Sequence, residues 1–581
     1  MGTSAIVREA YLTILPIQIL RIIILSINAL IDSVITGKFL GTESLAAIGF
    51  FGPLATIIGI SEVITVGVQI LCSRYIGNGN QEKAVSIFST GVVFLSIFSL
   101  TITIFAYLFR LPLAEFLGAD DKTAVLLSDY IAGYAPGIIG QVLSGVLTAF
   151  LPFNNDTKRS YIGSAVIIVS NISMDLLNVF IFHYGTFGIG LATSLSYLFS
   201  AGVLLMSYLN REHVIRLKMS GLRFNTLLSA ANLGLPALIF ITACTAQKYI
   251  LNITLMQYVG NAAIAVMNVQ DNITSVLGAI PLGCSEAFLI LASMYYGEKD
   301  RESLTALTRF ALISGTVLSL TIAVLLMLGS SLIPYAFFSF TDPAWNITRH
   351  MLLLFPIFLV FNLIFWILIK LYQCQKKMRL VNALNFAETM GATFIAVILT
   401  RLMGTDGTWL SFPVWELICI FIIGISVCLY NKRVPYCLED WLELPADFGA
   451  SEEEYMEFSV HSIEEVVNIS KRVIDFCHKR GLDNSRSYSA GLAIEEMAGN
   501  VVLHGFTKGS GNYSVDVRVV VKDELTIRVR DDCPAFDPKK YLAQFQPEDP
   551  VKNIGIRIIA LKAKEMIYQN VAGINTLLIN L

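Results

Sequence analysis

The chain has 581 residues, 55% of them hydrophobic and 15% charged, with a formal net charge of −3. A soluble protein of this size carries more charge, so most of the chain faces lipid, and the balance gives no basic footprint for nucleic acid. Nine scattered cysteines without a C-x-x-C spacing argue against a disulfide framework or a zinc site.

A membrane helix needs about 20 mostly apolar residues. Such runs fall near 11–37, 45–75, 86–110, 124–152, 161–183, 187–209, 228–257, 262–295, 306–335, 350–373, 381–402 and 408–430. The first has no small-residue cleavage site and leads into another span, so it reads as a retained helix. Twelve spans leave both termini on one side. Lys158 and Arg159, Arg211 to Arg223, Lys299 and Arg301, Lys376 to Arg379, and Lys432 and Arg433 fall in alternate connections, and the basic side is cytoplasmic. The expectation is a multi-pass protein of the cell membrane, in contact with lipid, with both termini in the cytoplasm.

The membrane part repeats itself at an offset near 220 residues. Ser73-Arg-Tyr-Ile-Gly77 returns as Ser293-Met-Tyr-Tyr-Gly297, and Phe153-Asn-Asn-Asp-Thr-Lys158-Arg159 is echoed by Gln373-Cys-Gln-Lys-Lys377-Met-Arg379. Gly185-Thr-Phe-Gly188-x-x-Leu191 returns as Gly404-Thr-Asp-Gly407-x-x-Leu410. One register implies two six-helix halves, 1–215 and 216–434. In secondary transporters such halves rock about a central site.

A carboxylate at membrane depth is expensive and is a functional candidate by default. Asp32 lies one helical turn from Asn28, so the two share a face and can hold a cation or relay a proton. Asp175 forms a second polar stripe with Asn171 and Asn178, for which inter-helix hydrogen bonding is the alternative. In the second half, Gln270, Asp271 and Glu388 are candidate cavity residues. Glu286 sits where it can snorkel or pair with a basic loop residue, and Lys248 can pair with one of these acids. Met256 and Met267 suit an apolar pocket, although ordinary packing explains them better.

Asn28-Ala-Leu-Ile-Asp32, Gly37-Lys-Phe-Leu-Gly41, Leu45-Ala46-Ala47-Ile-Gly49, Gly67, Gly77 and Asn171-Ile-Ser-Met-Asp175 resemble signatures of the multidrug and toxic compound extrusion (MATE) family, as does Leu15-Pro16. The resemblance covers about residues 5–430. It implies export of organic, often cationic, compounds driven by inward proton or sodium movement, and it links Asp32 to that coupling.

Beyond Lys432 the character changes. A linker, 435–452, leads to a charged region, 453–581. There Tyr455–Val460 reads as a strand and Ser462 can cap the next helix. A second helix is expected near 485–504, strands at 514–522 and 524–530, a last helix near 555–567 and a final strand at 574–580. Glu496, Asn500 and His504 are spaced i, i+4, i+8 and share a helical face. An Asn can ligate a magnesium ion that bridges nucleotide phosphates, and a Glu one turn earlier can act as a general base. A solvated polar face is the plainer alternative.

Glu496-x-x-x-Asn500-x-x-x-His504, Asp531-x-Cys533-x-x-Phe536 and Gly555-Ile-Arg-Ile-Ile559 resemble the ordered boxes of the GHKL ATPase superfamily, and Asp531 to Pro538 is most similar to its anti-sigma-factor serine-kinase branch. The resemblance implies an ATP site in which Asn500 holds magnesium, Glu496 is the base, Asp531 recognises the adenine amino group, and Phe536 and Gly555 take part. Cys533 stands where the branch has Gly, and Asn553 replaces the first Gly of the next box. These departures bear on turnover. No dimerisation helix with a phosphoacceptor His is present in the sequence pattern, and His461 falls at a strand-to-helix junction, which disfavours a histidine kinase.

The expected fold is an all-α polytopic membrane protein of about twelve helices in two repeat halves, followed by a C-terminal α/β sandwich of GHKL type. The leading expectation is a proton- or sodium-coupled antiporter of organic cations with an ATP-binding regulatory or serine-kinase-like domain. A membrane-tethered serine kinase acting on a cytoplasmic protein, or a lipid-linked sugar flippase, are the alternatives.

Overall fold

A computed structural model describes residues 2–117, 121–210, 213–338, 340–445, 447–506, 515–522, 524–538, 541, 554–571 and 573–581. The principal helices of the first half are α1 (Gly2–Ile35), α2 (Ser61–Gly77), α3 (Gln81–Leu108), α4 (Asp121–Tyr134), α5 (Gly137–Phe150), α6 (Thr157–Leu177) and α7 (Gly185–Tyr208). Those of the second half are α8 (Thr226–Tyr258), α9 (Asn261–Leu277), α10 (Ala279–Gly297), α11 (Arg301–Leu328), α12 (Pro343–Leu354), α13 (Phe358–Cys374), α14 (Met378–Met403) and α15 (Thr405–Asn431). The repeat is visible in the boundaries: α3 and α11 are both 28 residues long and begin 220 residues apart.

Among the described residues, ten helices are long and apolar enough to cross a membrane, or eleven if α12 and α13, bent by 47°, count as one span. The remaining expected run, 11–37, falls in α1. Proline explains the departures from unbroken spans. Pro136 lacks an amide N–H and its ring clashes with the preceding turn, so the run 124–152 divides into α4 and α5. Pro356 sits in the break between α12 and α13.

The C-terminal region contains α16 (Ile463–Lys479), α17 (Asn484–Asn500) and α18 (Ile554–Lys562), with strands β1 (Tyr455–Val460), β2 (Val515–Val521), β3 (Leu525–Asp531), β4 (Glu565–Val571) and β5 (Ile574–Asn580). The strands form one antiparallel sheet in the order β1-β2-β3-β5-β4. Alternate residues Val515, Val517, Val519, Ile527, Val529 and Ile579 face a core shared with Val466, Val473 and Ile494 of the helices. Ser462 caps α16 as expected, accepting from the Glu465 amide. The expected helix 555–567 is shorter. It ends at Lys562, and Glu565 to Ile567 already belong to β4, whose pairing with β5 outweighs continuation of the helix.

Residues 435–452 lie along the second half. Gln375 donates to the Leu442 carbonyl at 2.6 Å, Lys377 pairs with Glu443 at 2.6 Å, and Phe448 stacks on Tyr296. The C-terminal domain is thereby held against the membrane helices.

Candidate functional site

The first half encloses a cavity of about 730 Å³ whose wall includes Asp32, Phe51, Tyr130, Tyr134, Thr193 and Tyr197. Asp32 reaches it from α1. Thr193 of α7 donates its hydroxyl to Asp32 Oδ2 at 2.9 Å, and Asn171 of α6 donates to Thr193 at 3.3 Å. The carboxyls of Asp32 and Asp175 adjoin each other, and both are buried. Asp32 Oδ1 and both Asp175 oxygens have no donor among the described residues. Two carboxyl groups in contact are reconciled when one holds a proton or a cation lies between them. Three of the four expected coupling residues are therefore together. The Asn28 side chain lies outside the described residues.

The cavity aromatics were not legible in the sequence. Phe51 meets Tyr130 edge-on at 5.2 Å and Tyr134 at 4.6 Å. An aromatic within an apolar run gives no sign of whether it faces lipid, a neighbour or a cavity. Met256 is exposed, and Met267 packs in a separate apolar cluster with Leu251 and Leu255, so ordinary packing accounts for Met267.

The second-half candidates take separate partners. Gln270 donates to Thr274 on its own helix at 3.0 Å, and Asp271 pairs with Lys248 at 3.0 Å. Glu388 instead meets Glu416, a residue the sequence reading missed. Asn362 donates to Glu416 at 2.6 Å and Thr389 to Glu388 at 2.7 Å, all of them buried. Glu286 does not pair with a loop residue. It is buried against Lys370 of α13 at 2.6 Å, near the Arg21–Glu62 pair. The cost of charge at membrane depth flags Glu416, Lys370 and Arg21 as readily as it flags Asp32.

In the C-terminal domain, Glu496 and Asn500 are half-buried on α17. His504 does not continue their face. Val501–Gly505 form a π turn, which takes more residues per turn, and His504 projects to solvent. A Cβ at Gly555 would run into the Glu496 carboxyl, so a side chain there would have to displace it. Burial, then the neighbouring Glu495, raises the Glu496 pKa. Asp531 lies at the end of β3. Its Oδ1 accepts from the Cys533 amide at 3.0 Å and from Asn575 at 2.7 Å, while Tyr568 donates to Asn575 at 2.6 Å. Burial pushes the Asp531 carboxyl up to about 6. Asn575 and Tyr568 were not singled out, because β5 and β4 bring them to Asp531 only through the sheet. Cys533 has no positive φ, so its backbone angles do not demand glycine, and its sulfur lies against Gly505. Phe536 is exposed beside Tyr541. Asn553 lies outside the described residues.

The MatE family matches residues 16–177 and 236–399, and the histidine kinase-like ATPase domain matches 461–580. The chain is similar to the probable multidrug resistance protein YoeA of Bacillus subtilis, 23% identical over 306 residues, which are 51% of this chain and 66% of that protein. It is 24% identical over 220 residues to the probable multidrug resistance protein NorM of Photorhabdus laumondii, covering 37% of this chain and 48% of that protein. It is 24% identical over 415 residues to the multidrug export protein MepA of Staphylococcus saprophyticus, covering 70% of this chain and 90% of that one. Among solved structures, an outward-facing multidrug resistance MATE transporter superimposes with a TM-score of 0.67 at 20% identity, over 72% of this chain and 94% of that one. A mutant form of the Vibrio cholerae MATE transporter VcmN gives 0.67 at 19%, over 72% and 96%. At such identities these structures speak for the fold alone.

Proposed function

The chain belongs to the MatE family, and on that premise we propose that it exports organic, drug-like compounds, often cations, in exchange for protons or sodium ions. The observation that carries this reading is Asp32 on the wall of an aromatic-lined cavity, with the buried carboxyl of Asp175 against it. Aromatic faces attract organic cations, and a carboxyl pair that holds one proton or one metal cation is sensitive to any second positive charge nearby. Occupancy by the coupling ion and by a cationic substrate then compete, which is the requirement for exchange. The two halves rock to present the cavity to either side. Both chain ends and the C-terminal domain lie in the cytoplasm on this reading, because the connections on that side are basic.

The C-terminal domain binds Mg-ATP. Its residues fit the group: Asp531 is held by two donors for an adenine amino group, and Gly555 keeps the Glu496 end of α17 open to α18. Asn500 would hold the magnesium, and bound ATP would supply a transferable phosphoryl group. A second reading, a membrane-tethered serine kinase, is favoured by the raised Glu496 carboxyl one turn before Asn500.

The test is efflux of a fluorescent organic cation from vesicles under an imposed proton or sodium gradient. Asp32→Asn should abolish the gradient-driven component while the protein still inserts. Unchanged flux would remove the coupling role, and phosphorylation of a cytoplasmic protein without any flux would favour the kinase.

A further inference from the structure

The C-terminal sheet has two faces, and only one packs on its own helices. The other carries Arg518, Arg528 and Arg530, all buried. Arg518 and Arg528 stand directly opposite each other on β2 and β3, a placement that repels unless an anion lies between. Asp300 of the second half is that anion. Its Oδ1 takes Arg518 at 2.6 Å and its Oδ2 pairs with Arg528. Glu298 takes Arg530 at 2.6 Å and Arg528 at 3.2 Å. The other end of the same face reaches the first half. Gln569 of β4 donates to the Ile76 carbonyl at 2.9 Å, and Ile567 sits where a Cβ on Gly79 would be. Val571 and Ile574 join the apolar core of the membrane helices. One sheet therefore straddles the seam: β2 and β3 take acids of the second half, β4 and β5 pack on the first, and α1 of the first half also meets β1 and β2.

The loops it holds are repeat-related and touch each other. Gly77 at the end of α2 lies against the Met294 carbonyl, and a Cβ on Gly297 at the end of α10 would be 2.6 Å from the Arg74 carbonyl. At the shared offset, Asn78 and Asn80 stand where Glu298 and Asp300 stand. Asn80 and Asp300 each cap the helix that follows, bonding the amides of Lys83 and Ser303. Capping is thus met by either residue type. The acids occur on the half that faces the arginines, so their charge answers to the sheet and not to the helix.

We propose that the C-terminal domain is a lock on the cytoplasmic ends of the two halves: its sheet docks on both repeat-related loops, and opening toward the cytoplasm requires it to leave at least one of them. The proposal rests on the alternating-access reading above. Buried ion pairs suit a lock, because they add little net stability yet demand one geometry, and losing one partner leaves a costly unpaired charge. The nucleotide site adjoins the contact. Asp531 follows Arg530 on β3, so a nucleotide held at Asp531 bears on the arginine face of the sheet.

Hydrogen–deuterium exchange of the 581-residue protein in lipid nanodiscs tests this with Arg530→Glu and the charge-conserving Arg530→Lys. Arg530→Glu should raise exchange in both 74–80 and 294–300, by roughly tenfold, and Arg530→Lys should leave both closer to wild type. A rise confined to 294–300, with 74–80 at the wild-type rate, overturns the lock. If Arg530→Glu fails to insert, Gln569→Ala replaces it. That variant should raise exchange in both loops by a smaller factor, and an unchanged 294–300 overturns the proposal equally. Efflux of a fluorescent organic cation is measured on the same samples. Faster efflux in Arg530→Glu supports the lock. Coupled exchange without efflux in any form also supports it, and removes the export reading instead.

Discussion

The helices α3 and α11 have the same length and begin 220 residues apart, but the acids around them are distributed differently in the two halves. In the first half Asp32, with the buried Asp175 beside it, opens on a cavity with tyrosines. In the second, Glu388 and Glu416 are enclosed with Asn362 and Thr389, and further acid has moved out to the loop at Glu298 and Asp300. A repeat preserves the packing of the backbone. The roles of the halves then diverge through a few side chains, because a carboxylate changes a site's energetics far more than it changes a helix's path.

The comparison can be broken at its strongest point first. Asp32→Asn and Asp175→Asn should each reduce gradient-driven efflux to the background leak, whereas Glu416→Gln should slow it by less than about tenfold, measured in vesicles. Equal losses in the two halves would mean that both pairs carry the coupling ion. The charge network on α10 and α13 comes next. Lys370→Met leaves Glu286 buried without its partner and should cost about 3–5 kcal/mol in thermal unfolding, while Lys370→Met/Glu286→Leu should recover most of it. Recovery would mark the pair as replaceable packing, and failure would mark it as part of the mechanism.

Two smaller effects use the C-terminal domain as a control outside the repeat. Gly555→Val should weaken nucleotide binding at least about tenfold, since the new side chain displaces the Glu496 carboxyl, and should leave efflux coupling through Asp32 intact. The Asp531 carboxyl titrates near 6, above its ordinary value, because it is buried. It accepts from adenine as a carboxylate, so affinity should be full above that pH and fall about tenfold per unit below it. Asp531→Asn should bind weakly with a flat profile, read by titration with a fluorescent nucleotide. By the same linkage the folded state holds this proton more tightly than the unfolded chain, so this one group's contribution to stability is full below the ordinary carboxyl range and is lost as pH rises through about 6.

Much of this architecture was legible in the chain. Spans, the repeat, β1, the Ser462 cap and the position of Asp32 follow from local quantities: the transfer cost of each residue, helix capping and period-two alternation. Asp175 and Glu388 stood out for the same reason. Glu416 and Lys370 carry the same signal. Other features had no local signal. His504 leaves the face of Asn500 through a π turn, and β4 emerges where a helix was expected because β5 pairs with it.

The amino-acid sequence by itself determined that this is a repeated membrane protein with an ATPase-like domain, and which residues are expensive to bury. Only the tertiary structure decided which of them meet. Asp32 finds Asp175, Glu388 finds Glu416, and the arginines of β2 and β3 find Glu298 and Asp300. The physical reason is that burial costs are properties of single residues, whereas the energy of a charge pair depends on separation and surroundings that only the packing of distant segments sets.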